Sequence, residues 1–206
     1  MEIYSTEEQQ AEAIKRFFRE NGISLALGIV LGLGGLYGWK AYNAHQISSA
    51  EAASDAFNKY VENDDVLANS DAFIKDNADS NYAVLAAFVA AKKAVEEKQL
   101  DKAAEKLNWA VDNVKNDELK ATALLRLARV QAAQGQAEQA LATLAKAMPA
   151  SFAAQAAEIK GDIKLAQGDS EAARAAYQEA VDQGGADNNP LLQVKLDDLA
   201  KAASVN

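Results

Sequence analysis

From Asn21 to Trp39 the chain runs NGISLALGIVLGLGGLYGW, nineteen residues without a charge. Such a stretch constrains a fold more than any other feature here, because about 20 apolar residues in helix span the hydrocarbon core of a bilayer. Lys40 extends it by carrying its ammonium to the interface on a flexible stem. Trp39 and Tyr42 stand where an interfacial aromatic belt falls. The sequence therefore predicts a transmembrane helix over residues 22–42, preceded by a short segment, 1–21, and followed by a helical connector, 43–80, and a folded domain, 81–206.

The flanks orient the span. Lys15, Arg16 and Arg19 precede it, whereas only Lys40 follows before Lys59. Lysine and arginine counts set topology, so the N-terminus is expected in the cytoplasm and the domain on the far side, the periplasm of a bacterium. A cleaved secretory signal fits less well. Its apolar core is shorter than this one, and five Glu lie ahead of the stretch. Ahead of the span, Ser5 and Glu8 have capping-box spacing, and Ile14, Phe17 and Phe18 share a face. That pattern fits either a short helix on the membrane surface or a loose tail, with Asn21-Gly22 as the bend into the membrane. Gly28 and Gly32, and again Gly34 and Gly38, have the GxxxG spacing that brings two membrane helices close. The spacing does not distinguish self-association from docking to a foreign helix.

Beyond Asn81 a pattern recurs: Ala, a large apolar residue four later, and Ala plus an apolar residue at seven and eight. It falls on Ala103, Leu107, Ala110 and Val111, then Ala140, Leu144, Ala147 and Met148, then Ala173, Tyr177, Ala180 and Val181. The first Ala residues lie 37 and then 33 positions apart, close to the 34-residue period of tetratricopeptide repeats. Ala128 and Gly161 are small where the first helix of such a pair packs, and Gly135 and Gly168 stand five before the key Ala, where a left-handed residue ends that helix. Lys98 takes the Gly position in the first copy. The expected class is all-α: one N-terminal transmembrane helix, then a tetratricopeptide-repeat-like α-solenoid. A capping helix opens at Asn189-Pro190 and buries Leu192, Leu196, Leu199 and Ala203. A generic antiparallel bundle or another α-solenoid shares part of the pattern. Upstream, 46–61 reads as a helix continuing from the anchor, with Ala53, Phe57 and Tyr60 as its packed stripe.

Catalytic chemistry finds little to stand on. The chain has no Cys, which removes thiolate catalysis and Cys-based metal sites. Its one histidine, His45, has no second His for a zinc site and sits near the membrane end of the span. Asp64-Asp65, Glu96-Glu97 and Asp197-Asp198 are adjacent pairs, pointing about 100° apart on a helix rather than into a shared acid/base site. Apart from the adjacent Gly184 and Gly185, the clustered Gly lie in the span, and no phosphate-loop pattern is present. From Asn43 onward, 17 Lys and Arg face 25 Asp and Glu, a net −8 that disfavours nucleic acid. No cofactor and no enzymatic role are expected. The function left is partner binding, and in repeat arrays the first helices line a concave surface. By repeat alignment that surface would carry Leu85, Phe88, Lys92, Leu125, Arg129, Glu158 and Asp162.

The opening MEIY, EAIKRFFRENG before the span, LALGIVLGLGGLYGWKAYNAHQ through it and LLRLARVQ in the second repeat together resemble the YfgM family, ancillary subunits of the SecYEG translocon. The resemblance extends through the chain and is most specific before Gln46 and at 124–131. It implies an inner-membrane protein with a periplasmic tetratricopeptide-like domain, associated with the SecYEG translocon and the membrane-anchored chaperone PpiD. Such a protein would pass emerging secretory proteins to periplasmic chaperones. A repeat scaffold of another envelope system, such as outer-membrane biogenesis or cell division, would share the architecture.

Overall fold

In a computed structural model, residues 7–203 are described, and they form helices and turns with no strand among them. The chain divides into two compact units, 1–52 and 53–206. A single helix, α1 (Glu7–Val61), begins in the first and ends in the second.

The first unit is helix throughout its described length. Within α1 lies the one stretch among the described residues that is long and apolar enough to cross a membrane. Its large side chains, from Ile23 through Leu36 to Trp39, are exposed, and a helix apolar on all sides is what a bilayer solvates. Asn21 and Gly22 make no bend. Both sit inside the continuous α1, where the Asn21 side chain also donates from Nδ2 to the Phe17 carbonyl at 3.1 Å. The expected capping box involves Ser5, which lies outside the described residues.

The second unit starts well before residue 81. Tyr60, near the end of α1, is 6% exposed, and its hydroxyl donates to the Val66 and Ala86 carbonyls. With Phe57, Phe73 and Tyr82 it forms a cluster of aromatic rings, the Tyr60 and Phe73 centroids 4.7 Å apart. Burial, and then the charge of Asp71, pushes the Tyr60 phenol up to about 12. Helix α2 (Val66–Asp76) adds Val66 and Ile74 to the same core. Residues 53–80 thus belong to the repeat domain, because their aromatic side chains have nowhere drier to go.

Then come three helix pairs: α3 (Asn81–Glu96) with α4 (Leu100–Asn113), α5 (Asp117–Ala133) with α6 (Ala137–Leu144), and α7 (Ala153–Ala166) with α8 (Ser170–Asp182). Side-chain oxygens of Ser80, Asn116 and Asp169 accept from backbone N–H groups at the starts of α3, α5 and α8, which fixes where those helices begin. Alanine sets their separation. Ala83, Ala86, Ala87, Ala90 and Ala94 of α3 are fully buried, as are Ala103, Ala110, Ala123, Ala128, Ala140, Ala173 and Ala180 further on. Where Ala meets Ala, backbones pack closely and little side-chain entropy is lost on burial.

The first helices of the pairs end alike. Gly135 and Gly168 take φ of +77° and +82°, and the residue after each donates five residues back, Gln136 to Gln131 and Asp169 to Lys164. Lys98 adopts the same left-handed state, φ +61°, with Gln99 donating to Ala94. The second copy departs from the expected pattern at its end. Helix α6 stops at Leu144, leaving Ala147 and Met148 in the following loop. Pro149 explains it, since it disfavours helix at Met148 and its ring would clash with the carbonyl four residues earlier. Met148 still packs against two of the core clusters. After α8, a single turn α9 (Gly185–Asn188) leads into α10 (Pro190–Ala203), with Pro190 at its first position. Leu192 is fully buried, Leu196 is 8% exposed, and Leu199 packs against the same cluster.

Apolar burial follows the stack as three successive clusters: one centred on Phe88, Leu107 and Leu124, one on Leu125, Ile159 and Ile163, and one on Tyr177 and Leu192. Two substitutions test these constraints. Lys98→Gly should raise stability by roughly 0.5–1 kcal/mol, by removing a left-handed side chain. Gly161→Ala should lower it by about 1–3 kcal/mol, because a Cβ there would overlap the buried ring of Tyr177. Urea titration of the full chain in detergent, followed by circular dichroism, reads both shifts.

Candidate functional site

The first helices α3 and α5 leave a groove between them, with Leu100 and Leu107 of α4 as part of the floor. Its volume is about 570 Å³. Phe88, Val89, Val95, Leu100, Leu107, Val130 and Ala133 make the wall apolar, while Lys92, Glu96, Arg126 and Arg129 stand around it. The placement follows from helical spacing. Phe88, Lys92, Val95 and Glu96 recur at three or four residues along α3, and Arg126, Arg129, Val130 and Ala133 do so along α5.

Polar groups around this groove are only loosely committed. The Arg126 guanidinium lies 4.6 Å from the centre of the Phe88 ring, stacked as a cation on a π face. Lys92 faces Glu96 at 3.8 Å with both side chains more than half exposed, an ion pair of small energy. Among the described residues no carboxylate lies within ion-pair distance of Arg126 or Arg129.

Three of the seven residues expected on a concave face therefore meet in one groove: Phe88, Lys92 and Arg129. Leu85 is half-buried against the core and Leu125 is 3% exposed inside the second cluster. Leu125 points inward because the open face of α5 runs through Arg126, one residue and about 100° away. Arg126, Val95 and Val130 escaped the alignment. Spacing could have found them, since Arg126 lies three before Arg129 and Val95 seven after Phe88.

Glu158 and Asp162, also expected there, are held elsewhere. Lys195 of α10 reaches both from a single ammonium, Nζ to Glu158 Oε1 at 2.8 Å and to Asp162 Oδ1 at 2.7 Å. Asn189 donates to both Glu158 oxygens, and the Tyr177 hydroxyl donates to Asp162 at 2.7 Å. Lys195 also sits 5.5 Å from the centre of the Tyr177 ring. These carboxylates fasten the terminal helix to α7 and α8. A second tie of this kind joins α4 to α2, where the buried ammonium of Lys106 meets Asp71 and Glu105.

Electrostatics of the α10 tie agree with its geometry. Burial pushes the Tyr177 phenol up, and the hydrogen bond and charge of Asp162 and the charge of Glu158 push it further. For Lys195, burial pulls the ammonium down, but hydrogen bonds and charges from Asp162 and Glu158 outweigh it, and its pKa ends above the ordinary 10.5. A raised folded-state value means stability that is complete below pH 10.5 and lost as pH climbs through the folded value. Comparing the chain with Lys195→Met, the native chain should melt higher at neutral pH by an amount equivalent to about 1 kcal/mol. The gap should shrink above pH 10.5 and with added salt, as read by thermal melts across both series.

The chain matches the family model of a tetratricopeptide repeat-like domain over residues 15–201. It is 39% identical over 186 residues to a protein of Escherichia coli K12 named ancillary SecYEG translocon subunit, covering 88% of this chain and 90% of that one. It is also 34% identical over 198 residues to a Haemophilus influenzae protein of the same name, and 36% to one from Aggregatibacter actinomycetemcomitans, each match covering 94% of this chain and 97% of the other. No solved structure matches the chain. The chain belongs to the family of ancillary SecYEG translocon subunits, built on a tetratricopeptide repeat-like domain.

Proposed function

We propose that this chain is a non-enzymatic adaptor of the SecYEG translocon, anchored in the inner membrane by α1 and passing emerging secretory proteins to PpiD and other periplasmic chaperones. The observation that carries the reading is the match to the Escherichia coli ancillary subunit, which extends over both the apolar helix and the repeats. Geometry supports it from two sides. One helix is long and apolar enough to cross a membrane, and the repeat domain offers an open apolar groove between α3 and α5.

The same reading places the N-terminus in the cytoplasm and the repeat domain in the periplasm, on the strength of Lys15, Arg16 and Arg19 against Lys40. It gives the anchor a binding role. Around a helix, Gly28 and Gly32 fall on one side and Gly34 and Gly38 on another about 120° away, and a Cβ at any of the four would meet nothing within 4 Å. A second membrane helix could approach the backbone there.

Replacing only 22–39 with an unrelated span should abolish co-purification of SecYEG from mildly solubilised membranes while leaving the repeat domain folded. Changing Gly28, Gly32, Gly34 and Gly38 to Leu should reduce the yield several-fold. Undiminished recovery of SecYEG with both variants would contradict docking through the anchor. Recovery of none with the native chain would contradict the adaptor itself.

A further inference from the structure

The α3–α5 groove is charged against the rest of the molecule. The chain carries a formal −9, yet three cations, Lys92, Arg126 and Arg129, border this one apolar cleft against the single carboxylate of Glu96. That carboxylate already faces Lys92. Neither arginine has an ion-pair partner among the described residues, and both are exposed.

The groove is also graded along its length. Phe88 and Arg126 meet at one level, and Val95 and Ala133 each lie seven residues further along their helices, about 10 Å away at 1.5 Å per residue. Arg126 stands at the level of Phe88, and Lys92 and Arg129 stand about midway, beside Val130. The level of Val95, Leu100 and Ala133 is apolar, apart from the paired Glu96. Stacking on Phe88 holds the Arg126 guanidinium plane while leaving its N–H edges free, the geometry that takes a carboxylate in two parallel bonds.

We infer that this groove takes an extended peptide segment of another protein in which apolar side chains are followed, about three residues on, by carboxylates. The apolar side chains would fill the end at Val95 and Ala133. The carboxylates, two and three residues on, would then fall roughly 6 to 10 Å away, given 3.3 Å per extended residue, at Arg129 and Arg126. This assignment rests on the adaptor reading and names the chemistry its clients or chaperone partners must present. A uniformly apolar segment would leave the guanidinium edges unused, and a basic one would meet like charge.

The test uses the full chain in detergent and two fluorescein-labelled peptides, LVLSDD and LVLSKK, with binding read by anisotropy. The acidic peptide should bind about tenfold tighter than the basic one, and the preference should weaken as salt is raised. Changing both arginines to Gln (Arg126→Gln with Arg129→Gln) should erase the preference, and changing both to Glu should reverse it. Ala133→Trp, at an exposed groove position, should abolish binding of either peptide. Circular dichroism verifies that each variant is folded. Equal affinity for the two peptides, no binding of either up to millimolar concentration, or binding that Ala133→Trp leaves unchanged would each overturn the inference. So would displacement of the acidic peptide by short-chain phosphatidylglycerol below its micellar concentration, which would assign the arginines to lipid phosphate. SecYEG co-purification is scored separately. If it persists while peptide selectivity fails, the adaptor reading stands without this groove; if it fails while selectivity holds, the groove stands without the adaptor reading.

Discussion

Close approach between helix backbones is the constraint on which the repeat domain depends. Ala faces occupy the contact between paired helices, and Gly161 carries no Cβ where the Tyr177 ring crosses it. Larger side chains at those points would push the axes apart and forfeit dispersion contacts along the whole pair. The left-handed stops at Lys98, Gly135 and Gly168 serve the same end, turning the chain back within three residues so that the partner helix starts in register. Because the pairs are alike and contact only their neighbours, the three apolar clusters follow one another along the chain.

Small residues inside the pairs also decide where the large ones go. Phe88, Val95, Leu107 and Val130 collect at the junction of α3 with α5 and α4, part of them in core and part in groove. The next junction, α5 with α7, is closed by Leu125, Ile159 and Ile163. At the far end, α10 ends the stack by burying Leu192 and Leu196. Lys195 supplies the charge that Glu158 and Asp162 need in order to sit partly buried side by side. Without such a cation, two carboxylates beside the Tyr177 ring would repel each other in a region of reduced dielectric.

Much of this was legible in the residues, and the exceptions have physical causes. The apolar span, the left-handed Gly135 and Gly168, the buried Ala positions and the Pro190 capping helix are local signals, each fixed by chain chemistry within a few residues. The groove was legible only in part. Phe88, Lys92 and Arg129 were reached by repeat alignment, but Leu125 turned inward because a shift of one residue rotates a helical side chain by about 100°. Glu158 and Asp162 were misplaced because their partner, Lys195, lies more than thirty residues away, beyond any periodic signal. Residues 53–80 joined the domain through Phe57, Tyr60 and Phe73, an aromatic cluster assembled from two helices and invisible to a search for repeats.

In the proposed adaptor, attachment and recognition reside in different parts of the chain, and that division sets how strong each need be. An exposed groove of this size, bordered by side chains that water already solvates well, is suited to weak contacts, because each arginine must shed solvent before it gains a carboxylate. Weakness is compatible with function when a membrane anchor keeps both partners near the same machine. Tethering raises the effective concentration to the order of millimolar for short flexible links, so a segment bound weakly in free solution would still be captured. Rapid release then follows from the same weak affinity, since differences among related contacts fall mainly on the dissociation rate. A tighter groove would hold its cargo longer and so work against transfer.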